Sequence, residues 1–569
     1  MALWEALKLN DVINRITNNV FVLPVIQRRL VWEAEKMELL FDTLLKGDSF
    51  GGIMVLKEER GSSPLFAFRH FTKDGSNLES HSVERLENDI YLVIDGQQRL
   101  QSFYIGLTGS FEGKVLYFNM MSDFQKLDYD FLFVNKQEEL KATSKDDDGN
   151  DIKNEWISAN DLFNRLKLTN DEDQVAEEII LLRNITDESE KTKITKNIRT
   201  FYKNIFSTDT IGISSVAVNK SLDPTFNRQR IVEEFRRLND GGTRLSGFDL
   251  VASILKGFNW EMEKFLDDIL KKYKDINITQ DFIIKLIFLL QDDYKKEMAN
   301  IESQDANFAI VNKDRIIICF EVLKKYLQFS KLDNYYKNAN RSDIPLYFIL
   351  YHLFHKKLSN TELSSVYDNY EINNSDFRAL TKWIYISLLN GVFKSKGVGW
   401  IPYKTGIRKI LLELKKHKNS IFPTDALFNV YKKHPLRFFF EEVNEFLLNM
   451  YDDSFVFYLM YDRELQVRLQ DVDHIHPSSL LESAGIDHSQ INIITNYQLL
   501  DPGTNRYEKN AKPLKEWINN YVDNKSLYLE KHIIPSDENS WEIINYNSFL
   551  SIRQKSIYEK LKGTLDLYR

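Results

Sequence analysis

The spacing of hydrophobic residues divides the chain into a mixed first part, a helical middle part and a mixed end. In residues 1–256, short apolar runs such as GGIMVL (51–56) and DIYLVID (89–95) predict buried strands, and helical patterns separate these runs. In residues 257–450 the apolar positions mostly follow the period of a helix. Strand signals return in residues 451–569, followed by a further helical pattern. The pattern therefore predicts a multidomain α+β protein with these three domains.

Composition adds expectations about class and location. The chain of 569 residues is 43% hydrophobic and 28% charged, which is ordinary for a soluble globular protein. The single cysteine, Cys319, lies in an apolar run and is expected to be a core residue in a reducing cytoplasm. No signal peptide and no apolar stretch of about 18 residues is present, so we expect no membrane span. The net charge of −8 argues against binding of nucleic acid over the whole surface, although a local basic patch can still exist.

An acidic residue and two histidines lie next to one another in VDHIHPSSLL, residues 472–481. The carboxylate of Asp473 is a hard oxygen ligand of the kind that Mg²⁺ or Mn²⁺ prefers. The imidazole of His474 can take a proton from an attacking water near neutral pH, and His476 is a weaker candidate for a substrate contact. A polar turn with no catalytic role is the alternative, because Asp-His pairs are common.

Two further polar residues strengthen the catalytic interpretation. The amide oxygen of Asn505 can supply a second metal ligand beside Asp473. Lys509, on the same predicted short helix, can offset charge on a phosphate in the transition state. Together they favour hydrolysis of a phosphodiester with a bound Mg²⁺ or Mn²⁺ ion.

A second polar motif, VIDGQQRLQS, lies between a predicted buried strand and a predicted helix. A strand-to-helix turn of this kind presents free backbone N–H groups to an anion. Gly96 permits a close approach of the backbone, and Arg99 can bind phosphate oxygens with its planar fork. The alternative is a capped helix in which Arg99 pairs with Asp95. The candidate nucleotide-binding residues of this motif are Asp95, Gly96, Gln97, Gln98 and Arg99.

A basic segment, residues 394–437, lies just before the late motif. It contains eleven Lys and Arg residues against Glu413 and Asp425, a local balance of 11 − 2 = +9. Such a segment can follow a phosphate backbone, and a solvated helix face is the alternative. The candidate DNA-binding residues are Lys404, Arg408, Lys409, Lys415, Lys416 and Lys418.

The early motifs as a set resemble the N-terminal domain of the GmrSD family. PVIQRRLVWE carries Gln27 and Arg28 before Trp32, and FRRLNDGGTRLSGFDL (235–250) carries an NxGGTxLS pattern. With DGQQR, these are similar to the motifs of modification-dependent DNA endonucleases whose N-terminal domain has a ParB/sulfiredoxin-like α/β fold. The resemblance implies that DGQQR, with Gln27 and Arg28, binds and hydrolyses a nucleoside triphosphate.

The late motif resembles the HNH nuclease motif, a ββα-metal fold, which would make 451–569 a nuclease domain. Carried over onto this sequence, Asp473 and Asn505 would be metal ligands and His474 the general base. Asn496 would hold the loop that bears the base. The third motif position is Asn rather than His, a variant that the family also uses.

The order of these two domains is the order of the GmrSD family and of the related phosphorothioate-sensing defence nucleases. The resemblance implies an NTP-regulated, metal-dependent DNA endonuclease or nickase of anti-phage defence that responds to modified DNA. We expect it to be cytoplasmic, to have no membrane partner and to be able to form a homodimer. The alternative is a nucleotide-binding regulatory or toxin-like protein whose HNH region acts on RNA or only binds nucleic acid.

Overall fold

The chain divides into two compact units in the computed structural model. The first is Met1–Asp267 with Glu297–Ile310, and the second is Asp268–Lys296 with Val311–Arg569. The domain boundaries predicted at residues 256 and 450 stay predictions. The structure describes residues 3–27, 29–76, 78–136, 139–145, 151–216, 223–240, 247–293, 301–337, 342–368, 374–394, 400, 406–433, 439–462 and 470–567.

The strands of the described residues form four sheets. Their bounds are β1 (Leu3–Leu7), β2 (Phe21–Pro24), β3 (Ile53–Glu58), β4 (Phe68–Arg69), β5 (Ile90–Asp95), β6 (Val115–Asn119), β7 (Phe131–Val134), β8 (Thr143–Lys145), β9 (Asp151–Lys153), β10 (Trp156–Ser158), β11 (Ile211–Val216), β12 (Asp471–His474) and β13 (Tyr497–Leu500). The first unit contains a mixed sheet in the order β1-β11-β3-β5-β2-β4, an antiparallel sheet in the order β10-β6-β7 and the pair β8-β9. In the mixed sheet, β11 is parallel to β3 and β5 is parallel to β2.

Helices occupy most of the remaining described chain, which makes the protein a mixed α+β protein. The described residues between 257 and 450 form helices and no strand, as their hydrophobic period predicts. The helices are α1 (Leu9–Thr17), α2 (Ala34–Lys46), α3 (Gln97–Thr108), α4 (Ala159–Thr169), α5 (Glu172–Leu182), α6 (Glu188–Tyr202), α7 (Pro224–Asp240), α8 (Gly247–Phe258), α9 (Glu261–Lys272), α10 (Gln280–Leu290), α11 (Ser303–Val311), α12 (Lys313–Phe329), α13 (Asp333–Lys337), α14 (Ile344–Phe354), α15 (Asn360–Ser364), α16 (Ser375–Leu389), α17 (Arg408–Lys416), α18 (Thr424–Lys432), α19 (Asp453–Met460), α20 (Ser478–Ser483), α21 (His488–Ile491), α22 (Leu514–Tyr521), α23 (Lys525–His532) and α24 (Tyr546–Asp566).

Aromatic side chains join the sheets of the first unit through helices α2 and α3. The ring of Phe41 on α2 lies 5.4 Å from that of Phe103 on α3 and 5.3 Å from that of Phe131 on β7. Phe131 in turn stacks on Phe118 of β6 at 4.8 Å. These buried rings form one continuous core, which holds the helix that follows DGQQR in a fixed place.

In the second unit, Cys319 is buried as expected. Among the described residues, no helix combines the length and the apolar character needed to cross a membrane.

The late motif lies on a two-stranded antiparallel ribbon in the second unit. In β12 and β13, Asp473 faces Gln498 and His474 faces Tyr497. A short helix, Thr504–Lys509, follows β13. The elements around the late motif thus follow one another as strand, strand and short helix, and the ββα-metal fold expected for residues 451–569 stays a prediction.

A buried arginine on α24, Arg553, binds the backbone just before β13 and at its first residue. Its guanidinium is completely buried and donates hydrogen bonds to five main-chain carbonyl oxygens. These acceptors satisfy the buried charge through backbone dipoles, so the position of β13 depends on α24. The five carbonyl groups belong to Ile494, Thr495, Tyr497, His532 and Ile533.

His476 is a core residue of this unit. Its side chain is 0% exposed, and neither ring nitrogen has a hydrogen-bond partner among the described residues. The ring packs edge-on against Phe549 at 4.6 Å and Tyr546 at 5.4 Å. Burial, with the positive charges of Lys509 and Arg553, lowers the pKa of His476 from 6.5 to about 3. A completely buried ring is not placed to contact a substrate, which was the weaker role that the sequence offered for His476.

The buried state of His476 predicts a loss of stability in acid. Below about pH 6.5 the unfolded chain takes up a proton on this imidazole, whereas the folded protein keeps it neutral down to about pH 3. The stability associated with keeping His476 neutral is thus fully present above about pH 6.5. As the pH falls below this value, the free energy of unfolding decreases by up to about 1.4 kcal/mol per pH unit. His476→Phe should flatten the pH dependence of the free energy of unfolding, measured by urea denaturation.

The matched control for this experiment is His488→Phe, because the side chain of His488 is 76% exposed. This variant should keep the wild-type dependence on pH. Equal pH dependence in wild type and His476→Phe would contradict the prediction.

Candidate functional site

A buried lysine joins the short helix to strand β12. The Nζ atom of Lys509 lies 2.9 Å from Oδ2 of Asp473 and donates to the main-chain oxygen of His474 at 2.6 Å. The Lys509 side chain is 0% exposed, and burial lowers the pKa of its ammonium group while Asp473 opposes that shift. The sequence predicted that Lys509 would meet a phosphate, but its completely buried ammonium group is not placed to do so. It neutralises Asp473 and supports the backbone of the candidate base.

A glutamine on the neighbouring strand shares the same carboxylate oxygen. Gln498 donates from Nε2 to Oδ2 of Asp473 at 2.7 Å, and Tyr528 donates to Oε1 of Gln498 at 2.8 Å. Both contacts of Asp473 use Oδ2, and Oδ1 accepts no hydrogen bond from a described residue. Sequence reasoning missed Gln498. No local pattern identifies it, because its place opposite Asp473 depends on the pairing of β12 with β13 in the folded protein.

The imidazole of His474 is partly exposed at the end of β12, and the side chain of Asn492 binds it. Nε2 of His474 lies 2.9 Å from Oδ1 of Asn492, and the ring meets that of Tyr497 at 5.1 Å. Because an amide oxygen only accepts, this contact favours the tautomer with the proton on Nε2 and leaves Nδ1 as the basic nitrogen. Sequence reasoning did not select Asn492, since no spacing rule links it to the DHIHP motif.

Asn496 holds the loop that follows the candidate base. Its side chain is completely buried, and Oδ1 accepts from the backbone N–H of His476 at 3.0 Å. Nδ2 donates to the backbone oxygens of His476 at 3.2 Å and of Ile491 at 3.1 Å. Asn496 therefore ties the backbone after His474 to the segment that precedes β13, and its role in a nuclease motif stays a prediction.

Asn505 lies on the short helix beside a carboxylate that the sequence analysis did not select. Its Nδ2 atom donates to Oδ2 of Asp471 at 3.4 Å, and Arg506 donates to the same oxygen at 3.2 Å. Oδ1 of Asn505 has no hydrogen-bond donor among the described residues.

The side chains of Asp473 and Asn505 carry oxygens of the kind that a hard divalent cation prefers. Oδ1 of Asp473 and Oδ1 of Asn505, which belong to the two predicted ligands, have no described donor, and neither has Oδ1 of Asp471. No group of three or more His, Cys, Asp or Glu residues in the described chain is arranged to hold a metal. A site with two protein oxygens suits Mg²⁺, which usually keeps several waters.

The DGQQR motif forms the expected turn between β5 and α3. Gly96 has φ = 88° and precedes Gln97, the first residue of α3. A side chain there would be strained at this φ and would displace the end of the Ile53 side chain, so the turn favours glycine. The amides of the first helical turn have no partner within the helix and are the groups of this turn best suited to meet an anion.

Two predicted nucleotide-binding glutamines maintain the shape of this turn. The amide of Gln27 donates to the backbone oxygen of Ile94. The amide of Gln98 accepts from the backbone N–H of Val31 at 2.9 Å and donates to the backbone oxygen of Arg29 at 3.1 Å. Both side chains therefore fasten the segment after β2 to the end of β5. Arg28 and residues 241–246 of the NxGGTxLS pattern lie outside the described residues.

The remaining two polar side chains of DGQQR differ in their contacts. Arg99 pairs with Asp95 at 3.2 Å and donates to the backbone oxygen of Phe50 at 2.6 Å. Burial lowers the pKa of this guanidinium, and Asp95 opposes that shift. The ion pair of the alternative interpretation is thus present, and Arg99 can bind a phosphate only by releasing these partners. Gln97 is 4% exposed, and its Oε1 atom has no partner among the described residues.

The basic segment is less positive than its sequence suggests. Lys415 and Lys418 pair with Asp292 at 3.3 and 2.8 Å, and Lys416 pairs with Glu413 at 2.6 Å. Burial raises the pKa of Asp292, but hydrogen bonds from Lys418 and a tyrosine outweigh burial and lower it to about 2. The balance of +9 omitted acids from other parts of the chain.

The other candidate DNA-binding residues differ in exposure. Lys409 on α17 is exposed and has no ion pair among the described residues. Arg408 on the same helix is partly buried, and Lys404 lies outside the described residues.

Comparison with known families supports the resemblance for the first part of the chain. Residues 9–256 match the family model described as GmrSD restriction endonuclease, N-terminal domain. No curated protein gives a significant match to the chain. The matched range contains DGQQR, Gln27 and the segment 235–250. Residues 9–256 are therefore similar to the N-terminal domain of GmrSD restriction endonucleases.

Proposed function

We propose that this protein is a restriction endonuclease of a defence system that cuts or nicks DNA at an HNH-type centre around His474. The observation that carries the proposal is the partly exposed imidazole of His474, which Asn492 orients at the end of the strand that also carries Asp473. The N-terminal domain match supports the same conclusion, because the described family consists of restriction endonucleases.

His474 acts as the general base in this proposal. With Nε2 donating to Asn492, Nδ1 accepts the proton of a water that attacks the phosphorus of a phosphodiester. The bond from phosphorus to the leaving oxygen then breaks, and that oxygen takes a proton from solvent. Asn496 keeps the loop after His474 in place, and Lys509 supports the His474 carbonyl group.

Asp473 and Asn505 are the proposed ligands of a Mg²⁺ or Mn²⁺ ion. A divalent ion bound there supplies a Lewis acid for the phosphate and its leaving oxygen. Lys509 and Gln498 both hold Oδ2 of Asp473, so that Oδ1 remains available.

The DGQQR turn is the proposed site for a nucleoside triphosphate that regulates cleavage. Backbone amides at the start of α3 would bind phosphate oxygens, and Gln97 would supply the side-chain contact, since its amide oxygen has no described partner. Nucleotide and modified DNA would then be linked through a reciprocal coupling of their binding free energies.

Removal of the candidate base should abolish cleavage without unfolding the protein. His474→Ala deletes the partly exposed ring but no buried contact of the core, so its cooperative melting should stay close to that of wild type. Cleavage of supercoiled plasmid with Mg²⁺ should fall by at least about 100-fold, the lower range for loss of general base catalysis. His488→Ala is the control. A His474→Ala protein that cuts at the wild-type rate would exclude this centre.

The nucleotide site can be tested by separating binding from turn stability. Gln97→Leu keeps the volume of the side chain and removes only an amide without a described partner, so stability should be retained while nucleotide binding is lost. Arg99→Ala should lose NTP hydrolysis and also destabilise the turn by about 1–3 kcal/mol, because the partners of Arg99 are left unpaired. Calorimetric titration with a panel of NTPs measures the first effect and thermal melting the second. Normal nucleotide affinity in Gln97→Leu would place the site elsewhere.

Lys409 provides the test of DNA binding by the basic segment. Lys409→Gln removes an exposed charge that has no described partner, so it should weaken binding to all DNA sequences alike. The slope of log affinity against log salt concentration should become shallower by up to about 0.9. Lys274→Gln removes another exposed charge of the second unit and should leave the slope unchanged. A wild-type slope in Lys409→Gln would mean that this face is only solvated.

A further inference from the structure

Asp471, the first residue of β12, contacts the short helix at the end opposite to Lys509. Side chains two residues apart on a strand lie on the same face, so Asp471 and Asp473 both face this helix. Asp473 holds Lys509 at the last position of the helix, and Asp471 holds Asn505 and Arg506 near its start. The two carboxylates therefore fasten both ends of the helix to one strand.

The contact between Asp471 and Asn505 decides which end of the amide is available. A carboxylate only accepts hydrogen bonds, so it can face the NH₂ group of Asn505 but repels the amide oxygen. Without such a partner, the last torsion of an asparagine side chain has a broad, roughly two-fold preference. Asp471 thus turns Oδ1 of Asn505 away from itself.

Asp471 uses Oδ2 for both of these contacts, and its Oδ1 atom, like Oδ1 of Asp473, accepts no hydrogen bond from a described residue. Its Oδ2 atom already accepts a hydrogen bond from the guanidinium of Arg506 at 3.2 Å. A divalent ion on the same oxygen would lie beside a permanent positive charge, which costs free energy. Oδ1 of Asn505 has no such neighbour among its described hydrogen bonds.

We propose that Asp471 is a positioning residue that fixes the Asn505 amide with Oδ1 directed toward a divalent cation. This inference rests on the proposed function, since it needs Asn505 as a ligand. Partners that orient a metal ligand typically contribute about 10- to 100-fold to metal affinity.

The test is to titrate the full-length protein with Mn²⁺ alone and to measure the Mn²⁺ affinity by electron paramagnetic resonance. Asp471→Asn can present either end of an amide to Asn505, so it should bind Mn²⁺ about 10- to 100-fold more weakly than wild type. Plasmid cleavage should fall at low Mn²⁺ and recover at high Mn²⁺. The double variant Asp471→Asn with Asn505→Ala should bind no more weakly than Asn505→Ala alone, because Asp471 acts only through Asn505.

Two controls separate orientation from charge. Glu508→Gln removes a negative charge from an exposed position of the same helix, and Arg506→Gln removes the other partner of Asp471. Both variants should keep Mn²⁺ affinity within a few-fold of wild type.

The possible outcomes distinguish this inference from the proposed function. Wild-type Mn²⁺ affinity in Asp471→Asn, or additive losses in the double variant, would overturn the positioning role while leaving the metal site intact. Absence of Mn²⁺ binding by the wild-type protein would overturn the metal site of the proposed function and the inference with it.

Discussion

The buried ammonium group of Lys509 is the constraint around which the C-terminal site is arranged. A buried charge is tolerated only beside an opposite charge and well-placed acceptors, and removal of one partner typically costs about 3–5 kcal/mol. Asp473 and the His474 carbonyl group meet this need, which fixes the short helix against β12. Because the helix carries Asn505, the same ion pair sets the distance between the two proposed metal ligands. The geometry of the site thus follows from neutralising one lysine.

Neutral amides have the corresponding role in the first unit. The side-chain amides of Gln27 and Gln98 both form hydrogen bonds with backbone groups, and so they join two separate segments without burying a charge. The turn before α3 is therefore held by hydrogen bonds to a separate segment of the chain. In both units, several residues of the motifs bind other parts of the protein through their side chains.

The sequence predicted much of the local structure for identifiable reasons. The apolar run of β5 and the glycine at position 96 gave the strand and the turn, because only glycine adopts that conformation without strain. The helical period predicted the helices of the middle region. The roles expected for Lys509 and His476 were different from those in the structure, because burial cannot be read from residue type: both side chains are 0% exposed.

By itself, the sequence determined which groups are chemically available: an imidazole next to a carboxylate, two asparagines, and a glycine turn between strand and helix. Only the tertiary structure decided which of these groups remain available, because hydrogen-bond partners come from distant parts of the chain. Asp292 lies 126 residues from Lys418 and offsets its charge, a contact that no local count of charges includes. Asp471 gains its importance in the same way, since folding brings it to Asn505 across 34 residues of sequence. Local propensity acts over a few residues, whereas burial and pairing of charge are properties of the folded whole.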